Sequence, residues 1–551
     1  MAGGTLLAAH GGSGRRHRHE PGFPHAADET AVQVLFVDTP AQVAAPIEEL
    51  RDIVPDALTL TTSVRPIRYR RAGPTAAVAH PRIGRFAGAT LGVVDLRDWL
   101  APAVDAISEW ERSFGTFEPH PSLNVGDRDL AEAFGQLTLR LRDNYPFFHP
   151  RYAGQMIKPP HPVAVVGYLA AMLVNPNNHA LDGGPATAAM EREVVAALAA
   201  MVGFGDHLGH LTSSGTIANL EALYVARETH PGKGIACSAD AHYTHARMCH
   251  LLGMEFLRVC ADAHGRIDLE GLEDVLRSGR VGTVVLTAGT TGLGAVDPVQ
   301  EGLELARRYG ARVHLDAAYG GFFRLIADDD PVSGVASKPF TATGACDSVV
   351  IDPHKHGLQP YGCGAVVFAD PAVARFYHHD SPYTYFTSGS GHLGEISLEC
   401  SRAGAAAAGL WLTLQVFPLS PDGLGRVLRP GREAALRWAE LLAGSAELTA
   451  YQQPDLDIVT YLPRRARASE VDRSSAQILS AGMAADPTEA VYLATYVAES
   501  AALVARGHRI SPDIPGVRIL RSVLMKPESL EWSARLFARV EKLSRLAAPG
   551  Q

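Results

Sequence analysis

The chain has six cysteines, Cys237, Cys249, Cys260, Cys346, Cys363 and Cys400, and no two stand at the C-x-x-C spacing. Neither a zinc ribbon nor a disulfide framework is expected, and a reducing cytoplasm fits best. Positive charge is not in excess: 50 Lys and Arg against 59 Asp and Glu leave a net charge of −9, which argues against a general nucleic-acid binder. Long apolar runs are also missing. The longest, AGAAAAGLWLTLQVF at 403–417, is too short and too rich in Ala and Gly to span a membrane, and is expected to be a buried helix. The N-terminus has a very short apolar run followed by basic residues, the wrong order for a secretory signal. No internal repeat is found. What remains is an ordinary globular composition, with 551 residues, enough for a large core and two or three domains.

Residues 1–30, rich in Gly, His and Arg, are expected to lack fixed structure. AVQVLFVD at 31–38 reads as a strand. LRDWLAPAVDAISEWERSF at 96–114 has helical periodicity, with a Pro marking a boundary. No chemistry is assigned to 31–120. From about 125 the pattern changes. Helices are expected at 129–144, 167–175 and 189–203, and then strand-like and helical runs alternate: VGTVVLTAG (281–289), VQEGLELARRYG (299–310), ARVHLDAAYGG, DSVVIDPHK and CGAVVFA. Such alternation implies an α/β fold with a mostly parallel sheet, whose ligands sit at the carboxyl ends of the strands. Thr290, Thr291, Asp316 and Lys355 all follow strand-like runs at that end, so they are expected to converge. After 400, a helix at 431–445, strands in LDIVTYLPR and GVRILRSVLM, and a closing amphipathic helix read as a smaller α/β domain. The division expected is a tail (1–30), an N-terminal segment (31–165), a large domain (166–415) and a small C-terminal domain (416–551).

Lys355 follows a strand-like run, SVVID, just before a Gly-rich turn, so it is expected to point into the protein. Burying an ammonium is costly, and such a lysine has a lowered pKa or a covalent partner. A surface lysine at a turn is the plainer alternative. Asp316 ends an apolar run and needs a positive partner; a strand-end Asp capping a turn is its alternative. Ala318, two residues on, would face the same side and leave room for a flat ring. Ser213, Ser214, Gly215 and Thr216 open a helix, where free N–H groups and the helix dipole favour a phosphate, although an ordinary N-cap would look the same. Lysine, aspartate and phosphate cradle together are the equipment of a pyridoxal-phosphate enzyme.

His242, in SADAHYTHARMCH, opens a helix, and an imidazole can stack on a pyridine face and move protons. Asp352 and His354 are close enough in sequence to orient the lysine or touch the phosphate. His242 and His245 are three apart and His354 and His356 flank the lysine, but no carboxylate or cysteine spacing completes a metal site, so none is expected.

These segments together resemble the group II pyridoxal-phosphate-dependent amino-acid decarboxylases. The matching pieces are FFHPRYAGQM (147–156), NPNNHALDGGPATAAMEREV (175–194), SSGTIANLEAL, ADAHYTHARMCHLLG, TAGTTGLGAVDP (287–298), HLDAAYGG and DPHKHG, over about 130–420, with a weaker echo at ILRSVLM. The resemblance implies a fold type I enzyme: a large domain on a mostly parallel sheet, a smaller C-terminal α/β domain and an N-terminal extension. It implies that Lys355 forms the internal aldimine, Asp316 pairs with the ring nitrogen and His242 stacks on the ring. Gly215 and Thr216, with Ser214, would hold the phosphate, while Thr291, Asp352 and His354 match further cofactor-contacting positions. It also implies a homodimer with active sites at the subunit interface; the expected partner is a small-molecule amino-acid substrate, in the cytoplasm, with no nucleic-acid or membrane partner.

The wording DPHK followed by Gln359-Pro360-Tyr361, with SPYTYF and SLECSRAGAAAAGLW, is most similar to bacterial tyrosine decarboxylases, in which a Tyr near the substrate matches Tyr361. The expected reaction is decarboxylation of an L-amino acid, aromatic such as tyrosine, to the amine through an external aldimine and a quinonoid. Met156 and Ile157 would also suit a branched aliphatic substrate such as valine or leucine. Animal aromatic decarboxylases carry Asn at the position of Asp352 and a loop Tyr that protonates the substrate carbon. Counting back from Arg402 puts His392 or Leu393 near that spot, with Tyr383 and Tyr385 a little earlier. Without an acid there, oxygen could intercept the reaction and give an aldehyde. A catalytically silent partner protein of the same fold and an aminotransferase are the remaining alternatives, and the intact set of Lys355, Asp316 and His242 speaks against the first.

Overall fold

The computed structural model describes residues 4–9, 31–36, 93–328, 334–377 and 393–547. The chain forms two units, residues 1–81 and 82–551. In the first, strands β1 (Gly4–Ala9) and β2 (Ala31–Phe36) pair antiparallel, Gly4 opposite Phe36. β2 is the strand read at 31–38. β1 lies in the stretch expected to lack fixed structure, and the rest of 1–30 is outside the described residues.

The second unit begins with helices Arg97–Arg112 and Asp127–Leu141. Pro102, expected to mark a boundary, lies inside the first of them. Its missing N–H leaves only the Asp98 carbonyl without its helical bond, and Asp98 is exposed, so water can take that place. Eight strands follow: β3 (Tyr152–Ala153), β4 (Leu208–Thr212), β5 (Gly234–Ser238), β6 (Phe256–Val259), β7 (Val281–Thr287), β8 (Arg312–Asp316), β9 (Ser348–Ile351) and β10 (Gly364–Phe368). All but β3 form a seven-stranded sheet in the order β4-β10-β9-β8-β7-β5-β6. From β6 to β9 every neighbouring pair is parallel, and β10 runs antiparallel to both of its neighbours. The sheet is therefore mostly parallel, as the alternating pattern implied.

Helices cover both faces, and the two-residue period of the strands sorts side chains between them. Val284, Leu286, Val313, Leu315, Val349 and Ile351 face the core that includes helix Pro185–Val202. Val285 and Val350 face the other way, toward helices Gly215–Thr229 and Thr244–Leu252. His314 and Asp316 share that second face by parity. The apolar run at 403–417 is the helix Gly404–Val416, largely buried as expected. It lies close against helix Pro162–Val174 because two glycines meet: a Cβ on Gly167 would stand 3.1 Å from the Gly409 Cα.

After helix Gly425–Gly444 come β11 (Leu448–Ala450), β12 (Ile458–Pro463), β13 (Tyr492–Glu499) and β14 (Gly516–Val523). They form a second sheet, ordered β11-β12-β14-β13-β3, in which β3 is parallel to β13. Trp438, Ile478, Phe537 and Val540 from the flanking helices build its core with Tyr461 and Leu520. Each such side chain, fully buried, contributes roughly 1.5–3 kcal/mol. No described helix is long and apolar enough to cross a membrane.

Candidate active site

The register of the large sheet builds the site. Thr287 of β7 stands opposite Asp316 of β8, and Asp316 opposite Val350 of β9, so three parallel strands end side by side. The chain just beyond each end is tied to the next: Ala288 N donates to the Asp316 carbonyl (2.9 Å), Ala317 N to Val350 O (3.0 Å) and Asp352 N to Ala318 O (3.2 Å). Asp316, Ala318, Asp352 and Lys355 are thereby neighbours at the carboxyl edge.

Lys355 lies in the turn after β9, with Nζ 3.0 Å from Asp352 Oδ2. It is partly exposed, while Asp352 is buried. His354 Nε2 stands 3.5 Å from the same oxygen, and Asp352 Oδ1 has no hydrogen-bond partner among the described residues. Burial pushes the His354 pKa below its ordinary value. Three residues beyond the lysine, Leu358 adopts φ 65°, a left-handed conformation that costs a bulky residue about 1–2 kcal/mol. The turn is held there by its surroundings: Leu358 O accepts from His161 N (3.0 Å), and Gln359 Nε2 donates to Thr413 Oγ1 (2.9 Å).

The cradle segment opens helix Gly215–Thr229. Ser214 Oγ accepts from Ile217 N (3.4 Å), and Ala218 N to Ser214 O closes the first turn. The amides of Gly215 and Thr216 precede that bond, so they are donors of the kind an anion takes. Thr216 is exposed and Ser214 half-buried. Gly215 packs against Asp352, which brings the cradle to the lysine turn. One acid here was not anticipated: Glu399 Oε2 accepts from Ser213 N (2.8 Å).

Asp316 is 5% exposed. Its Oδ2 accepts from His245 Nε2 (2.9 Å) and its Oδ1 from Ala318 N (3.1 Å). Burial alone would raise its pKa, but the hydrogen bond and charge of His245, with the Lys355 charge, outweigh it and hold the carboxyl well below the usual carboxylate range. His314, two residues earlier, is pushed down to about 3, first by burial and then by His245. Its ring spans Asn219 Oδ1 and Ser348 Oγ, both at 2.8 Å, and ties β8 to the cradle helix and to β9. His242 is half-buried at the start of the next helix, with Thr244 N donating to its Nδ1 (3.3 Å). Burial lowers its pKa, and the charges of Asp316 and Lys355 both reach it. Ala318 lies past the end of β8, with its methyl buried near Ala218 and Val350.

Two of the sequence candidates stand further out. Tyr361 is exposed; its ring lies 4.6 Å from that of His354 and its hydroxyl donates to Met156 O (3.0 Å). Thr291 is exposed and is joined to the rest through its carbonyl, which accepts from Arg521 Nη2 (2.7 Å). Arg521 also donates to Gly292 O (3.0 Å) and Gly154 O (3.2 Å), and so binds β14 to two segments of the site. Only the weak echo at ILRSVLM pointed toward it. SPYTYF, with Tyr383, Tyr385 and His392, lies outside the described residues, and Leu393 is buried and has no proton to give.

A lysine amine, a buried ionised carboxylate and a helix N-terminus thus share one sheet edge, and the signature of the pyridoxal-dependent decarboxylase conserved domain matches residues 147–447. The chain belongs to that family. It is a pyridoxal-phosphate-dependent amino-acid decarboxylase. The decarboxylase is 26% identical over 458 residues to the L-tyrosine decarboxylase of Enterococcus faecium, covering 62% of this chain and 75% of that one. A probable L-tyrosine/L-aspartate decarboxylase of Methanothrix thermoacetophila is 32% identical over 283 residues, covering 51% and 70%. The L-2,4-diaminobutyrate decarboxylase of Acinetobacter baumannii is 27% identical over 425 residues, covering 67% and 80%. Among solved structures, tryptophan decarboxylase of Catharanthus roseus is similar with a TM-score of 0.65 at 17% identity, covering 83% of this chain and 100% of that one, which shows a shared fold.

The residues present fit pyridoxal phosphate. A carboxylate kept ionised suits a protonated pyridine nitrogen, free helix amides suit a phosphate, and a lysine beside an acid suits an aldehyde.

Proposed function

We propose that this decarboxylase acts on an aromatic L-amino acid such as tyrosine, with Lys355 holding the cofactor's aldehyde carbon. The observation that carries the reading is the Lys355 Nζ at 3.0 Å from Asp352 Oδ2, at the strand edge shared with Asp316. When bound, pyridoxal phosphate supplies the electron-withdrawing ring that accepts the electron pair of the breaking Cα–carboxylate bond. The chain's own residues do the rest. Asp352 Oδ2 can take the proton that Lys355 must lose to act as a nucleophile. Asp316 would pair with the ring nitrogen and favour its protonated form. The amides of Gly215 and Thr216, with Ser214, would hold the phosphate, and Thr291 and His354 would border the cofactor. His242, whose pKa burial lowers, would pack on the ring face and exclude water. Ala318 would leave space for the ring. Lys355→Ala should abolish both turnover and the visible absorption band of the loaded enzyme; retention of both would overturn the assignment.

Tyr361 supports an aromatic substrate, since its hydroxyl is bonded to the backbone of Met156 and its ring borders His354. The tyrosine decarboxylases of Enterococcus faecium and Levilactobacillus brevis among the relatives support it too. CO2 release should be screened over tyrosine and other aromatic amino acids, aspartate, 2,4-diaminobutyrate, valine and leucine. A strong preference for a non-aromatic substrate overturns this part, and peroxide with ammonia would mark the aldehyde-forming reaction instead.

The active form is a cytoplasmic homodimer with the sites at the subunit interface. Helix Asp127–Leu141 has no buried residue, and Leu130, Phe134, Leu137 and Leu141, at helical spacing, are each more than half exposed. A row of that kind supports cover by a second copy. We divide the chain into a tail (1–30), an N-terminal segment (31–165), a large domain (166–415) and a small C-terminal domain (416–551).

A further inference from the structure

Asp316 does not stand alone at the end of β8. His245, in the first turn of helix Thr244–Leu252, is fully buried and directs Nε2 at Asp316 Oδ2, 2.9 Å away. A carboxylate only accepts, so Nε2 carries the proton and donates it. The second carboxylate oxygen takes the Ala318 amide. Each oxygen therefore has a fixed donor, and the plane of the carboxylate is set by the pair. The neighbouring His314 does different work: its two nitrogens are committed to Asn219 and Ser348, and its ring centroid is 6.4 Å from that of His245. Among the described residues His245 Nδ1 has no partner, and the hydrogen bond seen on the ring is the one to Asp316.

We propose that His245 is a positioning residue that fixes the orientation and charge of Asp316 and acts on the cofactor ring through it. The inference rests on the reading that Asp316 pairs with the ring nitrogen. Without His245, Asp316 would keep one backbone donor in a buried setting, and burial favours the protonated acid. A neutral or turned acid cannot hold the proton on the ring nitrogen, and the ring becomes a poorer electron sink.

The test compares His245→Leu, His245→Gln and Asp316→Asn as holoenzymes, with pyridoxal 5′-phosphate as the probe. His245→Leu should weaken cofactor affinity about tenfold or more, the weight of a hydrogen bond to a charged group. It should also displace the visible band and lower kcat while KM changes little. His245→Gln, which can place an N–H at the same oxygen, should recover the band and come within about threefold of wild-type affinity. If His245→Leu does not fold, His245→Met, also without a donor, takes its place with the same expectation. Wild-type affinity and band in the donor-free variant, beside an impaired Asp316→Asn, would overturn the role of His245 alone. A wild-type band and affinity in Asp316→Asn would overturn the reading of Asp316 and the inference with it. Failure of His245→Gln to recover the band would also count against the proposal, because filling the space would then matter and the donor would not.

Discussion

Gly215 backs directly onto Asp352: a Cβ on Gly215 would lie 2.5 Å from Oδ2 and 2.7 Å from Oδ1 of the carboxylate. Asp352 has little room to retreat, since it is 2% exposed and its amide is bonded to Ala318 O. Gly215→Ala must then move either the start of the cradle helix or the acid beside Lys355. We expect cofactor affinity to fall about tenfold or more and stability to fall by ~1–3 kcal/mol, as for other overpacked sites. Cofactor titration and urea unfolding measure the two. Ala is otherwise favoured over Gly in a helix by about 1 kcal/mol, so a net gain in stability would contradict the contact.

Arg402 and Glu191 form a buried ion pair at 2.8 Å beside β4. Glu191 also accepts from Leu211 N (2.9 Å) and Asn178 Nδ2 (2.6 Å), and Arg402 donates to the Leu211 carbonyl. Arg402→Ala leaves the carboxylate buried without its cation and should cost about 3–5 kcal/mol in equilibrium unfolding. Adding Glu191→Gln should cost clearly less than the sum of the single effects. Strict additivity would mean that the pair is not coupled.

Lys526 is 4% exposed and donates to Tyr152 O (2.6 Å). Burial first, then the charge of Lys158, pushes its pKa down to about 8. An unfolded lysine titrates near 10.4, so between about 8 and 10.4 the unfolded chain binds the extra proton. The stability cost of this lysine is therefore full below about 8 and is lifted as pH rises through that window. Relative to Lys526→Met, the wild type should gain up to about 3 kcal/mol from neutral pH to beyond the window. Urea unfolding of both proteins across that range checks this, and a pH-independent difference would refute it.

Phe134 and Leu137 lie on the exposed apolar row of helix Asp127–Leu141. Placing Glu at both should leave the fold of the chain intact, because neither side chain is buried within it. It should convert a dimer to a monomer in sedimentation and reduce turnover, if the sites need both subunits. A variant that remains dimeric would show that this face is not the interface.

Much of the architecture was legible from periodicity. VGTVVLT and SVVI are short apolar, β-branched runs between turn residues, and such runs alternating with amphipathic helices mark the strands of a buried parallel sheet. Asp316 could be placed at a strand end because it closes an apolar run, and Lys355 in the turn that follows one. Pro102 was misjudged, since an exposed helix tolerates one lost hydrogen bond. His245 was seen only as half of a possible metal pair with His242. Its partner Asp316 is 71 residues away, Arg521 reaches Thr291 across 230, and Glu399 reaches Ser213 across 186. No local pattern carries those distances.

The sequence by itself determined the element types, the residues at their ends and the chemistry that a lysine, an aspartate and a helix N-terminus offer, because these follow from short-range periodicity and side-chain type. Tertiary structure alone decided that β7, β8 and β9 end level, that Gly215 meets Asp352, and that His245 rather than His242 bonds to Asp316. Those choices come from strand register and helix packing, which are set by contacts between segments far apart in the chain.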